Sequence, residues 1–278
     1  MKIKKILLYS GLFFVVSIIA GAIYMYPFYK FFFTPVTTVI DPQFTVMSGG
    51  GNSSIPETDS AMLVIDTKMG SMAKDLYKMV KEKAGTKKII VINTHLHGDH
   101  LDGNYLYYGC RIYIGKYDKA FAQKSIKPED MPTDMVSDSL ILNLGNEDAV
   151  LLNVGQAHTF SDMVVYLKNR KTLVTGDVVF NKINPALIRS SGTDIDKWIG
   201  VLDMLSNRWE ISKVIPGHGD PGGPEILTAM KQYFEDMKVA AADNTQADVL
   251  EKRYDRWRKM PLMSSPDRTI EFINSSEN

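Results

Sequence analysis

The longest apolar run lies at the amino terminus, where Lys2, Lys4 and Lys5 precede an uncharged stretch from Ile6 to Tyr29. A helix needs about 20 apolar residues to cross a bilayer, whereas a cleaved signal peptide uses a core of only ~7–15, so the run reads as a membrane span. The cluster Tyr24, Tyr26, Phe28, Tyr29, Phe31, Phe32 and Phe33 reads as an aromatic belt at its far interface. Residues 1–33 are therefore expected to be an uncleaved signal anchor, with the basic flank in the cytoplasm and the remainder exported, periplasmic or extracellular. The alternative is a secreted chain, cut after Ala20-Gly21-Ala22.

Past the anchor the pattern changes. Residues 34–58, rich in Thr, Pro, Gly and Ser, read as a linker and first-strand region holding one strand-like piece at 44–47. The continuous apolar run 61–65 predicts a buried strand, and Met72, Leu76, Met79 and Val80 fall on one face of a helix over 71–83 that Gly85 stops. A second strand follows at 89–92. Residues 104–108 predict a short helix, 111–114 a strand, 116–123 another short helix and 124–138 a loop. The runs 140–144 and 149–154 flank Gly145-Asn146 as a hairpin, and two further strands span 163–167 and 172–175, the latter ending at Gly176-Asp177. Ile195, Trp198, Ile199, Leu202 and Leu205 share the inward face of a helix over 193–205 with Thr193 as its cap. A strand at 213–215, a long helix over 224–241 and a helix around 247–259 complete the chain, with frayed last residues. The main domain is placed at 59–242, with its fold beginning near residue 40, and a helical tail at 243–278.

With 45% hydrophobic and 23% charged residues in 278, the chain can bury one substantial core. Lys plus Arg equals Asp plus Glu, 32 each, so no overall basic field draws nucleic acid, and a small-molecule substrate is expected instead. The single cysteine, Cys110, excludes an intrachain disulfide, and its neighbours Tyr107, Tyr108 and Ile112 favour a buried inert thiol.

The chemistry is concentrated in Thr94-His95-Leu96-His97-Gly98-Asp99-His100, directly after an apolar strand. Three of the chain's five histidines lie in this loop, and the other two, His158 and His218, each follow a short apolar segment. Clustered imidazoles and carboxylates carry a desolvation cost that a metal or catalytic task explains. His95, His97, Asp99, His100, His158, Asp177 and His218 all fall at or just beyond the carboxyl ends of predicted strands. Seven nitrogen and oxygen donors exceed what one tetrahedral zinc takes and suit two divalent ions.

These segments, with Ala157-His158-Thr159, Thr175-Gly176-Asp177 and Pro216-Gly217-His218-Gly219, resemble the metallo-β-lactamase superfamily over residues 40 to 242. The resemblance implies an α/β fold, a four-layer αββα sandwich with the metals at one edge between two sheets. It implies that His95, His97 and His158 bind one metal, that Asp99, His100 and His218 bind the other, and that Asp177 bridges them as in glyoxalase-II-like sites. Asp66 is expected to be a hydrogen-bond partner behind a metal-bound imidazole rather than a ligand. Lys182, Asn184 and Arg189 follow the bridging position and are candidates for the substrate groove, although surface loops carry such residues without function.

The expected activity is a hydrolase in which a hydroxide bridged between two zinc ions attacks an ester, thioester, lactone or amide, with Asp99 orienting it. Three alternatives remain. Iron in the same ligand set implies oxidation of sulfur compounds. True β-lactamases generally lack the bridging aspartate that Asp177 resembles, which weighs against β-lactam hydrolysis. A membrane-tethered scaffold on a retired site is weakened because every ligand position is filled.

Overall fold

The apolar amino terminus forms one helix, α1 (Lys2–Phe33), in the computed structural model, which describes residues 2–117, 122–124, 126–260 and 263–275. Its segment Tyr9–Phe33 contains an 18-residue stretch with a mean hydropathy of 1.9 and is long and apolar enough to cross a membrane. The rest of the chain runs through β1 (Thr37–Asp41), β2 (Phe44–Met47), β3 (Ser53–Pro56), β4 (Ala61–Ile65), α2 (Gly70–Ala84), β5 (Lys88–Ile92), the single turn α3 (Gly98–Leu101) and β6 (Arg111–Gly115). It continues through β7 (Asp134–Val136), β8 (Ser139–Asn143), β9 (Asp148–Gly155), β10 (Asp162–Leu167), β11 (Thr172–Phe180), α4 (Ile195–Arg208), β12 (Lys213–His218), α5 (Glu225–Ala242), α6 (Asn244–Arg253) and α7 (Pro266–Asn274).

Strands β1 to β7 form one sheet in chain order, antiparallel as far as β4 and parallel beyond it. The second sheet runs β12-β11-β10-β9-β8, with only β11 and β12 parallel. Side-chain alternation explains how they stack. Leu63 and Ile65 of β4 meet Met163, Val165 and Leu167 of β10 in the core between the sheets. Their alternates face outward: Met62 and Val64 pack on Leu76 and Val80 of α2, and Val164 and Tyr166 pack in the cluster holding Trp198 of α4 and Phe234 of α5. The result is helix, sheet, sheet, helix. Both faces of β4 and β10 are covered, so residues 61–65 and 163–167 each read as an unbroken apolar run.

Several expectations are corrected. Residues 37–56 are not mainly linker: they supply three strands of the first sheet, and Thr45, Ser53 and Ser54 are buried there despite their polarity. Residues 134–136 join that sheet through pairing with β6 instead of forming a loop. Asp194 caps α4 by accepting from the Lys197 amide, while the Thr193 hydroxyl donates to the carbonyl of His158. A further helix that the pattern did not predict, α7, is capped by Ser265, and the last residues, expected to be frayed, lie outside the described residues. Cys110 is half-buried, and burial pushes its thiol up. The helix expected over 116–123 lies partly outside the described residues.

Candidate metal centre

The site is built where the strand ends of both sheets meet. After β5 the chain turns through His95 and His97 into α3, which carries Asp99 and His100. His158 lies in the turn between β9 and β10, and His218 is the last residue of β12. Asp177 sits differently from its expected place at a strand end. Strand β11 continues to Phe180, and its pairing with β12 is irregular on both sides of Gly176. Gly176 has φ +53°, and a Cβ there would lie 2.3 Å from Thr94 Oγ1. Only glycine gives both the left-handed kink and that approach, and the kink brings the Asp177 carboxylate among the imidazoles.

Asp177 Oδ2 lies 3.8 Å from His95 Nε2, 3.4 Å from His158 Nε2 and 3.4 Å from His218 Nε2, and its Oδ1 lies 3.1 Å from His100 Nε2. His97 Nδ1 is 3.0 Å from His158 Nε2. Asp99 Oδ2 is 3.4 Å from His218 Nε2 and 3.6 Å from His100 Nε2. Two donor groups result, His95, His97, His158 and Asp177 in one and Asp99, His100 and His218 in the other, each with its ligand atoms within 4.8 Å of one another. Ligands about 2.0–2.1 Å from a tetrahedral zinc stand roughly 3.3 Å apart, which is the separation these pairs show. The buried Nε2 atoms of His95 and His100 and Oδ1 of Asp177 point inward without a well-formed hydrogen bond. Buried polar atoms of this kind need a partner, and a cation between them supplies one.

Charge tells the same story. Burial holds His95 well below its ordinary value and pushes His158 down to about 3, and it lowers His97 against the pull of Asp177. Burial also acts to lower His100 and His218, but Asp177 and Asp99 overcome it, raising His218 to about 9 and His100 well above its ordinary value. Those imidazoles in turn outweigh burial at Asp99 and Asp177 and hold both carboxyls well below the usual range. Divalent ions would take the place of the protons that otherwise balance the two carboxylates.

Behind the two donor groups, Asp66 is buried, with φ +67°. Its Oδ1 accepts from the Thr94 amide, and its Oδ2 accepts from the Thr94 hydroxyl and faces His100 Nδ1 at 2.7 Å. Thr94 Oγ1 also meets His95 Nδ1 at 3.0 Å, so one carboxylate orients two imidazoles. Ser191 Oγ lies 3.0 Å from His97 Nε2. No sequence signal points to Ser191, which is distant in the chain, whereas Thr94 stands beside the first histidine. Lys68 was also missed: its buried ammonium donates to the Gly49 and Gly51 carbonyls at 2.9 and 2.5 Å, and burial lowers it to about 7 against the fields of Asp99 and Asp66. The loop it fastens runs against His100.

Of the groove candidates, Lys182 is exposed beside the site. Asn184 is buried and donates to the Arg258 carbonyl, and Arg189 lies over the Phe272 ring, 4.0 Å from its centre. Asn184 is thus withdrawn from a substrate, while Arg189 stays exposed but is turned to the carboxyl-terminal helix.

The sequence profile of the metallo-beta-lactamase superfamily matches residues 48–218. A type 2 metallo-beta-lactamase of Bacteroides fragilis is 25% identical over 185 residues, covering 65% of this chain and 74% of that protein. Acyl-coenzyme A thioesterase MBLAC2 of Homo sapiens is 22% identical over 213 residues, covering 62% of this chain and 74% of that protein. Among solved structures, a metallo-beta-lactamase from Pontibacter korlensis superposes with a TM-score of 0.63 at 21% identity, over 72% of this chain and 99% of that one, a likeness of fold alone. The α/β sandwich, the paired donor groups and the profile match together place this chain in the metallo-beta-lactamase superfamily.

Proposed function

We propose that the protein is a metal-dependent hydrolase of ester, thioester, lactone or amide bonds that holds two divalent ions, most simply zinc. The observation that carries this reading is Asp177, whose carboxylate lies within 3.8 Å of imidazoles from both donor groups. His95, His97 and His158 would hold one ion, Asp99, His100 and His218 the other, and Asp177 both. When bound, the ions supply a water-derived nucleophile at neutral pH and positive charge where the attacked carbonyl turns anionic. The protein does the positioning. Asp99, kept ionised by His100 and His218, accepts a hydrogen bond from the attacking water and fixes its lone pair toward the substrate. Thr94, Asp66 and Ser191 hold the imidazoles in register.

The two kinds of relative, a β-lactamase and a thioesterase, support hydrolysis of an acyl bond. β-Lactam hydrolysis is the second reading, favoured by the first of those names. The test is elemental analysis of the full chain, followed by turnover of thioesters, lactones, simple esters and β-lactams. About two zinc per chain with acyl hydrolysis is expected. About one iron would move the reading to oxidation of sulfur compounds, and no metal after reconstitution would leave a tethered scaffold. The same reading takes residues 1–33 as the anchor of an exported domain, which protease accessibility on sealed vesicles checks.

Two substitutions follow from the ligand supports. Asp66→Asn removes the charge behind His100 and is expected to weaken binding of the second ion by about 10–100-fold, read by competition with a chelating dye. Unchanged affinity would mean that Asp66 is only a turn residue. A Cβ at Gly51 would lie 2.4 Å from the His100 ring. Gly51→Ala is therefore expected to leave one ion per chain, and retention of both would show that the loop gives way without moving His100.

A further inference from the structure

The carboxyl end of α1 packs against the catalytic domain. The Phe32 ring centre is 6.2 Å from that of His218, and the Arg258 guanidinium lies 4.1 Å from the centre of the Phe31 ring. Between this helix end and the domain opens a groove of about 1070 Å³. Its walls include Phe31, Val36, Phe180, Ile183, Ile226 and Trp257. Its exposed charges are Lys30, Lys182, Arg256 and Arg258 against Asp220 and Glu225, a cationic excess. Glu225 is further occupied, since its Oε1 accepts from the Gly223 amide.

One wall of the groove is tied to the core. Trp257 stacks on Tyr233 at 5.1 Å, and the Arg258 amide donates to the carbonyl of Lys182, a residue held at φ +55°. The chain after α6 thus closes onto the segment following β11 and brings Arg256, Trp257 and Arg258 to the groove. The groove also adjoins the metal centre. Phe180 lines it and stacks on His218 with ring centres 5.1 Å apart, and a Cβ at Gly50, another lining residue, would be 3.6 Å from Cβ of Asp99.

Its position relative to a bilayer follows from length. The 25 residues of Tyr9–Phe33 make a helix roughly 37 Å long, which exceeds the ~30 Å of hydrocarbon. The last turns, with Lys30 to Phe33, therefore reach the headgroup layer. Those same turns form one side of the groove, so its mouth opens at the lipid surface. Apolar walls ending in a cationic rim match a molecule with an alkyl chain and an anionic head.

We infer that this groove takes a long-chain anionic amphiphile from the bilayer, with its alkyl chain along the apolar walls and its head on the cationic rim. The inference rests on the hydrolase reading and on α1 spanning the membrane, and it makes such a lipid the substrate. In the reaction, water oxygen bonds to the acyl carbon, the bond from that carbon to the leaving oxygen or sulfur breaks, and a proton from the water passes to the leaving atom.

The test uses the full chain in phosphatidylcholine nanodiscs with 9,10-dibromostearate as probe and Trp257 fluorescence as readout. Saturable quenching is expected, lost in Trp257→Phe and weakened at least ~10-fold both by Lys182→Glu with Arg256→Glu and by replacing the probe with its uncharged methyl ester. Equal quenching by acid and methyl ester, or none that depends on Trp257, overturns the inference. Hydrolysis of 4-nitrophenyl acetate by the same discs separates the two readings. Acetate hydrolysis without probe binding removes the lipid groove and keeps the hydrolase. Probe binding in metal-loaded protein that cleaves neither the acetate nor a long-chain anionic ester keeps the groove as a lipid site and removes both the hydrolase and the lipid's role as substrate.

Discussion

Asp177→Asn is expected to abolish acyl hydrolysis, by at least about a thousandfold, and to reduce metal content to one ion per chain or fewer. The side chain keeps its size but loses the negative charge that faces His95, His100, His158 and His218. Two dications a few ångströms apart repel strongly in a buried site, and a shared carboxylate is the group that offsets that repulsion. Asp99→Asn is the informative companion, because Asp99 belongs only to the second group. It should keep the first ion while losing most turnover. Elemental analysis and turnover on the same samples separate the two, with circular dichroism confirming that the sandwich remains. An Asp177→Asn protein with two ions and parental turnover would show that the two donor groups do not act as one centre.

The largest expected loss of stability lies far from the donor groups. Glu147, in the turn between β8 and β9, is fully buried, and its carboxylate accepts from Arg170 Nη1 at 2.9 Å and from the Asn169 amide at 2.7 Å. Arg170 also donates to the Glu57 carbonyl and reaches Asp41 at 3.4 Å, so one guanidinium ties turns of the second sheet to β1 and to the end of β3. Arg170→Met leaves a buried carboxylate without its cation and is expected to cost about 3–5 kcal/mol in denaturant unfolding. Joint replacement of Arg170 by Met and Glu147 by Leu should cost less than Arg170→Met alone, because no uncompensated charge remains. A loss below about 1 kcal/mol for the single substitution would mean that water reaches Glu147 and satisfies it.

Much of the architecture was readable along the chain because the signals were local. The i, i+3, i+4 spacing of α2, α4 and α5 and the short apolar runs of β4, β5 and β10 depend only on which side chains a helix or strand turns toward a core. The strands at 37–41 and 53–56 escaped because they hold too few apolar residues to form a run, Val39 and Ile40 in one and Ile55 in the other, among Thr, Asp, Ser and Pro whose backbones nonetheless pair in the sheet. Asp177 was assigned to a strand end because the run 172–175 stops at Gly176-Asp177. In the structure Gly176 only kinks the strand.

The donor types at the site follow from composition, since histidines and aspartates this concentrated are costly without a cation. Family membership likewise followed from the order of short motifs, which a linear chain displays directly. The rest is tertiary. Ser191 behind His97, Lys68 beneath the Gly49 to Gly51 loop, and Trp257 and Arg258 in a groove bounded by α1 come from segments far apart in sequence. Their roles exist only after two sheets pack face to face and the carboxyl-terminal segment closes onto the chain after β11. The sequence by itself determined which donor side chains are offered, because donor identity is a property of side chains. The tertiary structure alone decided what surrounds those donors, because burial and approach distances are properties of packing.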